Sequence, residues 1–95
     1  MNDFEKIRQN AQRYKLEYPP GTRLEMLQMQ DPWAAVEPGV RGTVVHVDDI
    51  GQLHMAWDNG RSLSLIPTED QFRKLTPEEI LAETVAETAA MNPVL

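Results

Sequence analysis

Two glycine-ended triplets, Asp49-Ile50-Gly51 and Asp58-Asn59-Gly60, constrain this chain more than any other feature. Each ends on a residue that takes left-handed backbone without a Cβ penalty, where a three-residue hairpin loop needs it. The first triplet joins Thr43–Asp48 to Gln52–Trp57. It pairs Val47 with Leu53, Val45 with Met55 and Thr43 with Trp57 on one apolar face. His46 then opposes His54, and Asp48 opposes Gln52, on the other face. At the second triplet, a two-residue Asn59-Gly60 turn would set Met55 against Ser64 and His54 against Leu65 and mix the faces. A three-residue loop keeps them apart: Met55 meets Leu63, Leu53 meets Leu65, and Trp57 meets Arg61 within reach of a cation–π contact.

Two further strands complete the pattern. Thr22–Gln28 alternates Leu24 and Met26 against Arg23, Glu25 and Leu27, and a short strand around Phe72–Leu75 would close the sheet. Between Thr22–Gln28 and the first hairpin, Met29–Val40, with Asp31-Pro32-Trp33 and Pro38-Gly39, is a long connection. Five short strands, one meander and one long early loop predict a mainly β fold. The expected architecture is a small five-stranded SH3-like barrel flanked by N- and C-terminal α-helices. Pro19-Pro20-Gly21 and Thr76-Pro77 divide the chain into a helix over 1–18, the barrel over 19–75, and an acidic helix and tail over 76–95.

The N-terminal helix carries Phe4, Ile7, Ala11, Tyr14 and Tyr18 on one seam, with Asn2 or Asp3 as cap and Pro19 as stop. It is too short for a coiled coil by itself and is expected to pack on the barrel or on a second copy. In the C-terminal helix Thr76 and Glu79 form a capping box, and Pro77 suits the first turn. Leu81, Val85 and Ala89 line one side with Ile80, Ala82 and Ala86 beside them, while Glu83 and Glu87 point elsewhere. This helix is expected to fade by Asn92-Pro93. It reads either as a solvated helix lightly docked on the barrel or as a partner-binding, dimerising one.

Composition bounds the function. Ninety-five residues make one small domain, and the absence of cysteine excludes disulfides, thiol nucleophiles and cysteine-ligated metals. A net charge of −6 opposes binding to nucleic acid or anionic lipid. No apolar run approaches a membrane span, and the acidic start lacks a secretory apolar core, so a cytoplasmic chain is expected.

The runs YPPGTRLEML, PGVRGTVVHVDDIGQLHMAWDNGRSLSLIP and FRKL resemble an uncharacterised bacterial family met in phages and other mobile elements, the domain of unknown function 4314. The resemblance covers Tyr18 to Leu75 and leaves both flanking helices outside. Gly42–Val45 through Gly51 to Gly60 also looks like the KOW-type half of an SH3-like barrel. That likeness implies ribosomal, transcriptional or protein-recognition roles, although the acidic barrel argues against RNA.

His46 and His54 invite a metal, with Asp48 on the same face, but fall short of a closed four-ligand site. A pair that repels once protonated is the simpler alternative, and half-exposed strand histidines the simplest. The acid pairs Asp48-Asp49, Glu69-Asp70 and Glu78-Glu79 have no matching nucleophile or phosphate loop. No catalysis, cofactor or metal is expected. Binding is better supported: Trp33, Arg41, Trp57 and Arg61 are anchor types in interfaces. Trp57 also reads as a core residue, and the arginines as solvated or paired with nearby acids. The expectation is a non-catalytic module, encoded by a phage or mobile element, that engages a bacterial protein through barrel loops and helices, with pairing of two copies through the helices. One rival is inhibition of host defence by nucleic-acid mimicry through Glu78, Glu79, Glu83 and Glu87. Another is nucleotide sequestration by Arg41, Arg61, Trp33 and Trp57, and the weakest is an RNA or ribosome module.

Overall fold

The computed structural model describes residues 2–30, 33 and 36–91. The elements run α1 (Asp3–Glu17), β1 (Arg23–Gln28), β2 (Arg41–Val47), β3 (Leu53–Trp57), β4 (Gln71–Lys74) and α2 (Pro77–Met91). The strands form one antiparallel sheet in the order β3-β2-β1-β4. The expected end of α2 at Asn92-Pro93 lies outside the described residues.

Both glycine-ended loops fold as their sequences predict. The Gly51 N–H donates to the Asp48 carbonyl and the Gly60 N–H to the Trp57 carbonyl, at 3.1 and 2.9 Å. Both glycines have φ of +87°. The expected register holds at Val47–Leu53 and His46–His54 and then changes: a bulge at Val45 brings Val44 opposite Met55 and Gly42 opposite Trp57. Val45–Met55 and Thr43–Trp57 are therefore corrected. The cause is the Trp57 indole, since a Cβ on Gly42 would lie 2.6 Å from its Cε3. Only a bare backbone fits there, and the extra residue of a bulge supplies the one-place shift. Val44 is buried as a result and Val45 turns outward.

The fifth strand is reduced to a bridge between Leu53 and Leu65, with a further backbone bond from the Trp57 N–H to the Arg61 carbonyl. The Leu63 carbonyl accepts from the Trp57 indole N–H at 2.8 Å, taking the acceptor that a Met55–Leu63 rung would use. The architecture is therefore a four-stranded open antiparallel sheet with two helices, not a closed five-stranded barrel. Leu24, Met26, Val36, Val44, Val47, Leu53, Met55, Trp57 and Leu65 make its core.

Asp70 is buried under the turn before β4. Its carboxylate accepts from the Gln30 and Ile66 N–H groups at 3.1 and 2.8 Å, tying that turn to the exit of β1. Sequence reading grouped it with Glu69 as an acid pair; its work is structural.

The helices attach in different ways. Asn2 caps α1 by accepting from the Glu5 N–H. Ala11 is buried, and Tyr14 and Tyr18 pack on the core, with Tyr14 resting against Gly51. Phe4 and Ile7, at the start of the same seam, overhang the sheet at 78% and 43% exposure. At α2 the capping box forms in both directions, Thr76 Oγ1 accepting from the Glu79 N–H and Glu79 accepting from the Thr76 N–H. Its Leu81 and Val85 face outward, 63% and 59% exposed. Contrary to expectation, Glu83 points at the sheet.

Candidate functional site

The alternation that buries Leu24 and Met26 of β1 turns Arg23 and Glu25 to the opposite, outer face of the sheet. Arg41 and Thr43 of β2 stand on that face for the same reason. Because β1 lies between β2 and β4, the topology brings Arg23, Arg41 and Arg73 together. Glu79 and Glu83, one helical turn apart, reach down onto them.

Arg23 uses every guanidinium N–H. It donates to both carboxylate oxygens of Asp58 at 2.8 and 2.7 Å, to both of Glu83 at 3.1 and 2.8 Å, and to Thr43 Oγ1 at 3.1 Å. Arg73 grips Glu79 with two bonds of 2.7 Å and reaches Glu25 at 3.2 Å. Arg41 bridges the set, donating to Glu83 and Glu79 at 3.1 Å and to Glu25 at 3.4 Å. Forked pairs of this kind are shorter and stronger than neutral hydrogen bonds. The Arg73 fork, with the Thr76 N–H, holds the Glu79 carboxyl far below the usual range. Arg23 lowers the Asp58 carboxyl and the Glu83 carboxyl, in each case against the opposing effect of burial. In return Asp58 and Glu83 push the Arg23 guanidinium up, Glu79 that of Arg73 and Glu83 that of Arg41.

This network takes up Arg41 of the expected binding set and Glu79 and Glu83 of the expected acidic surface. Glu78 and Glu87 remain exposed on α2. Trp57 is a core residue, 4% exposed, so it offers no surface to a partner. Trp33 is 90% exposed on the loop after β1, and Arg61 is exposed beside the Asp58-Asn59-Gly60 turn. Among the described residues the cation–π contacts are Arg13 with Tyr14 and Lys74 with Tyr18, rather than Arg61 with Trp57. The parity of Arg23 and Glu25 and the spacing of Glu79 and Glu83 were the available signals for the network. Which strands would lie side by side was not in either.

His46 and His54 stack as their register predicts, with ring centroids 4.2 Å apart and planes 10° from parallel. His54 Nε2 lies 2.8 Å from Asp48 Oδ2. Burial raises the Asp48 carboxyl, but its bonds to His54 and the Gln52 and Ile50 N–H groups outweigh that and leave it below the usual range. Asp48 is thus an orienting partner and a loop brace. Among the described residues no three His, Asp or Glu side chains gather as a metal cluster.

At the opposite end of the sheet from Trp33, α1 and the first hairpin loop enclose a groove of about 440 Å³. Phe4, Ile7 and Ile50 give it apolar walls, and Arg8, Lys15 and Asp49 stand at its edge. Lys15 and Asp49 pair across it at 2.6 Å. A pair this exposed contributes little stability and is easily rearranged.

Fold and surface thus define a small antiparallel-sheet domain with one helix seated on its core edge and another tied to its outer face. Its family follows from the sequence of that sheet: the chain belongs to the family described as Domain of unknown function (DUF4314), whose model matches residues 7–75. The match takes in α1 from Ile7 onward, further than the Tyr18 start that the resemblance suggested. No curated protein and no solved structure matches the chain significantly. Among the described residues no helix is long and apolar enough to cross a membrane.

Proposed function

We propose that this chain is a non-catalytic protein-binding module, encoded by a phage or mobile element, that engages a bacterial protein in the cytoplasm. The fold under it is read as an open SH3-like barrel. The β3-β2-β1-β4 order supports this, with the Leu53–Leu65 bridge marking the place of a fifth strand. The observation that carries the binding function is the α1 groove. Phe4 at 78%, Ile7 at 43% and Ile50 at 63% exposure are large apolar side chains gathered in one concavity rather than scattered. Edge charges of both signs suit an amphipathic protein segment. Trp33 and Arg61 at the other end supply a second contact.

Nucleic-acid mimicry through α2 loses support, because Glu79 and Glu83 are neutralised by arginines of the same chain.

The test is capture from bacterial lysate with wild type, a Phe4→Ser/Ile50→Ser variant and a Trp33→Ala/Arg61→Ala variant. All four positions are exposed, so the variants should keep the wild-type circular dichroism. One stoichiometric protein should be retained by wild type and lost by the groove variant, and its purified form should bind that variant at least about tenfold more weakly. Equal retention by all three proteins would refute the reading. If no protein is captured and nucleotides raise the melting temperature, sequestration of a nucleotide takes its place.

A further inference from the structure

The helix α2 holds to the domain in an unusual way. From Pro77 to Thr88 no side chain is buried; Ile80, Leu81 and Val85 are all at least 40% exposed. An open concavity of about 620 Å³, lined by Arg23, Thr43, Asp58, Ile80, Glu83, Thr84 and Glu87, lies where helix and sheet meet. What holds the helix to the sheet is the set of ion pairs from Glu79 and Glu83 to Arg23, Arg41 and Arg73. The arginines all lie within the matched family domain, which ends at Leu75, whereas both glutamates lie beyond it.

We infer that the outer face of the sheet is a second interaction surface, a receptor for a protein helix with two carboxylates one turn apart, and that α2 is its tethered competitor. The seated α2 shows what the face accepts. Three guanidinium forks on adjacent strands meet two carboxylates at i and i+4, with Arg41 contacting both. Lifting α2 away leaves three arginines beside Glu25 and Asp58, which stay with the sheet. That residual excess of only one positive charge, with two carboxylates in its midst, gives a polyphosphate chain little to gain. A protein helix brings only the two carboxylates that the forks need. Exchange is cheap because none of the side chains from Pro77 to Thr88 is buried, and an incoming acidic helix makes the same bonds. This surface is separate from the α1 groove, so either can fail without the other.

The experiment uses the full chain, labelled with ¹⁵N, and a synthetic peptide of residues 76–91 as the acidic helix. Two receptors are compared, wild type and Glu79→Gln/Glu83→Gln. A tethered helix lowers apparent affinity by the fraction of time it covers the face. The peptide should therefore bind the double variant at least about tenfold more tightly than wild type. Shifts should centre on the Nε–Hε signals of Arg23, Arg41 and Arg73, and a peptide carrying the same two glutamines should not bind.

Equal affinity for both receptors, shifts centred on α1, or equal binding of the glutamine peptide would each overturn the inference. So would a DNA duplex that binds the double variant more tightly than the peptide does, which would make the face a nucleic-acid site. If the double variant does not fold, Glu83→Gln replaces it. Loss of fold in both would show α2 to be integral rather than displaceable, and would also refute the proposal.

Discussion

Replacing Gly42 with alanine tests the link between the Val45 bulge and the Trp57 indole. The new Cβ would stand 2.6 Å from Trp57 Cε3, 3.0 Å from Cδ2 and 3.1 Å from the Ala56 carbonyl oxygen. Carbon contacts are most favourable near about 3.5–4.0 Å, so roughly 1 Å of separation must be found. The indole cannot easily supply it, being 4% exposed and tied by its N–H to the Leu63 carbonyl. Overpacking of this kind costs about 1–3 kcal/mol. Against that, alanine restricts the unfolded chain and returns about 0.4–1 kcal/mol. A net loss centred on about 1.3 kcal/mol follows, which for a domain of this size lowers the melting temperature by roughly 5–10 °C. Urea unfolding followed by tryptophan fluorescence, with thermal circular dichroism beside it, would read the change. In a Trp57→Leu background the two indole contacts are gone and only the 3.1 Å approach to the Ala56 carbonyl oxygen remains, so the same Gly42→Ala substitution should cost distinctly less. A cost that is equal in both backgrounds, or no cost in wild type, would refute the account of the bulge.

Two further outcomes follow from the charged groups. Asp58, Glu79 and Glu83 titrate below the usual carboxylate range when folded, so their stabilisation is present in full above the ordinary value and fades as pH falls through the depressed ones. The α2 helical signal at 222 nm should hold from pH 7 down to about 4.5 and decline only below it; decline that begins near pH 6 would contradict the assignment. At 1 M salt, where the screening length is about 3 Å, α2 amides should exchange faster while core amides stay protected. Asp70→Asn, which places an amide N–H₂ against one of the two backbone donors now served by the carboxylate, should cost about 1–3 kcal/mol in urea unfolding. A change below about 0.5 kcal/mol would mean that the turn before β4 does not depend on it.

The sequence made the local rules legible and left the long-range ones hidden. Both glycine loops, the first two rungs beyond Gly51, the Asn2 cap and the Thr76–Glu79 box follow from residues a few places apart. The register beyond His46 does not, because strict alternation along β2 is as regular as the bulged pattern. Only the bulk of Trp57 against Gly42 decides between them. Likewise, the apolar seam of α1 is continuous in sequence, yet the sheet is long enough to cover Ala11 and Tyr14 but not Phe4.

For α2, reading an amphipathic helix by its apolar side gave the wrong docking face. Leu81 and Val85 with small alanines offer little area to bury, at about 25 cal/mol per Å². The opposing side offers Glu79 and Glu83 to three partly buried guanidinium groups, which are costly to leave unpaired. Neither quantity is visible until β1 is known to lie between β2 and β4, which sets Arg23, Arg41 and Arg73 side by side. The polar side wins, and the consequence reaches the surface. Arg41, Glu79 and Glu83, which looked available for recognition, are spent on one another, and large apolar groups face solvent instead: Phe4 and Ile50 at one end, Trp33 at the other, and the outer stripe of α2.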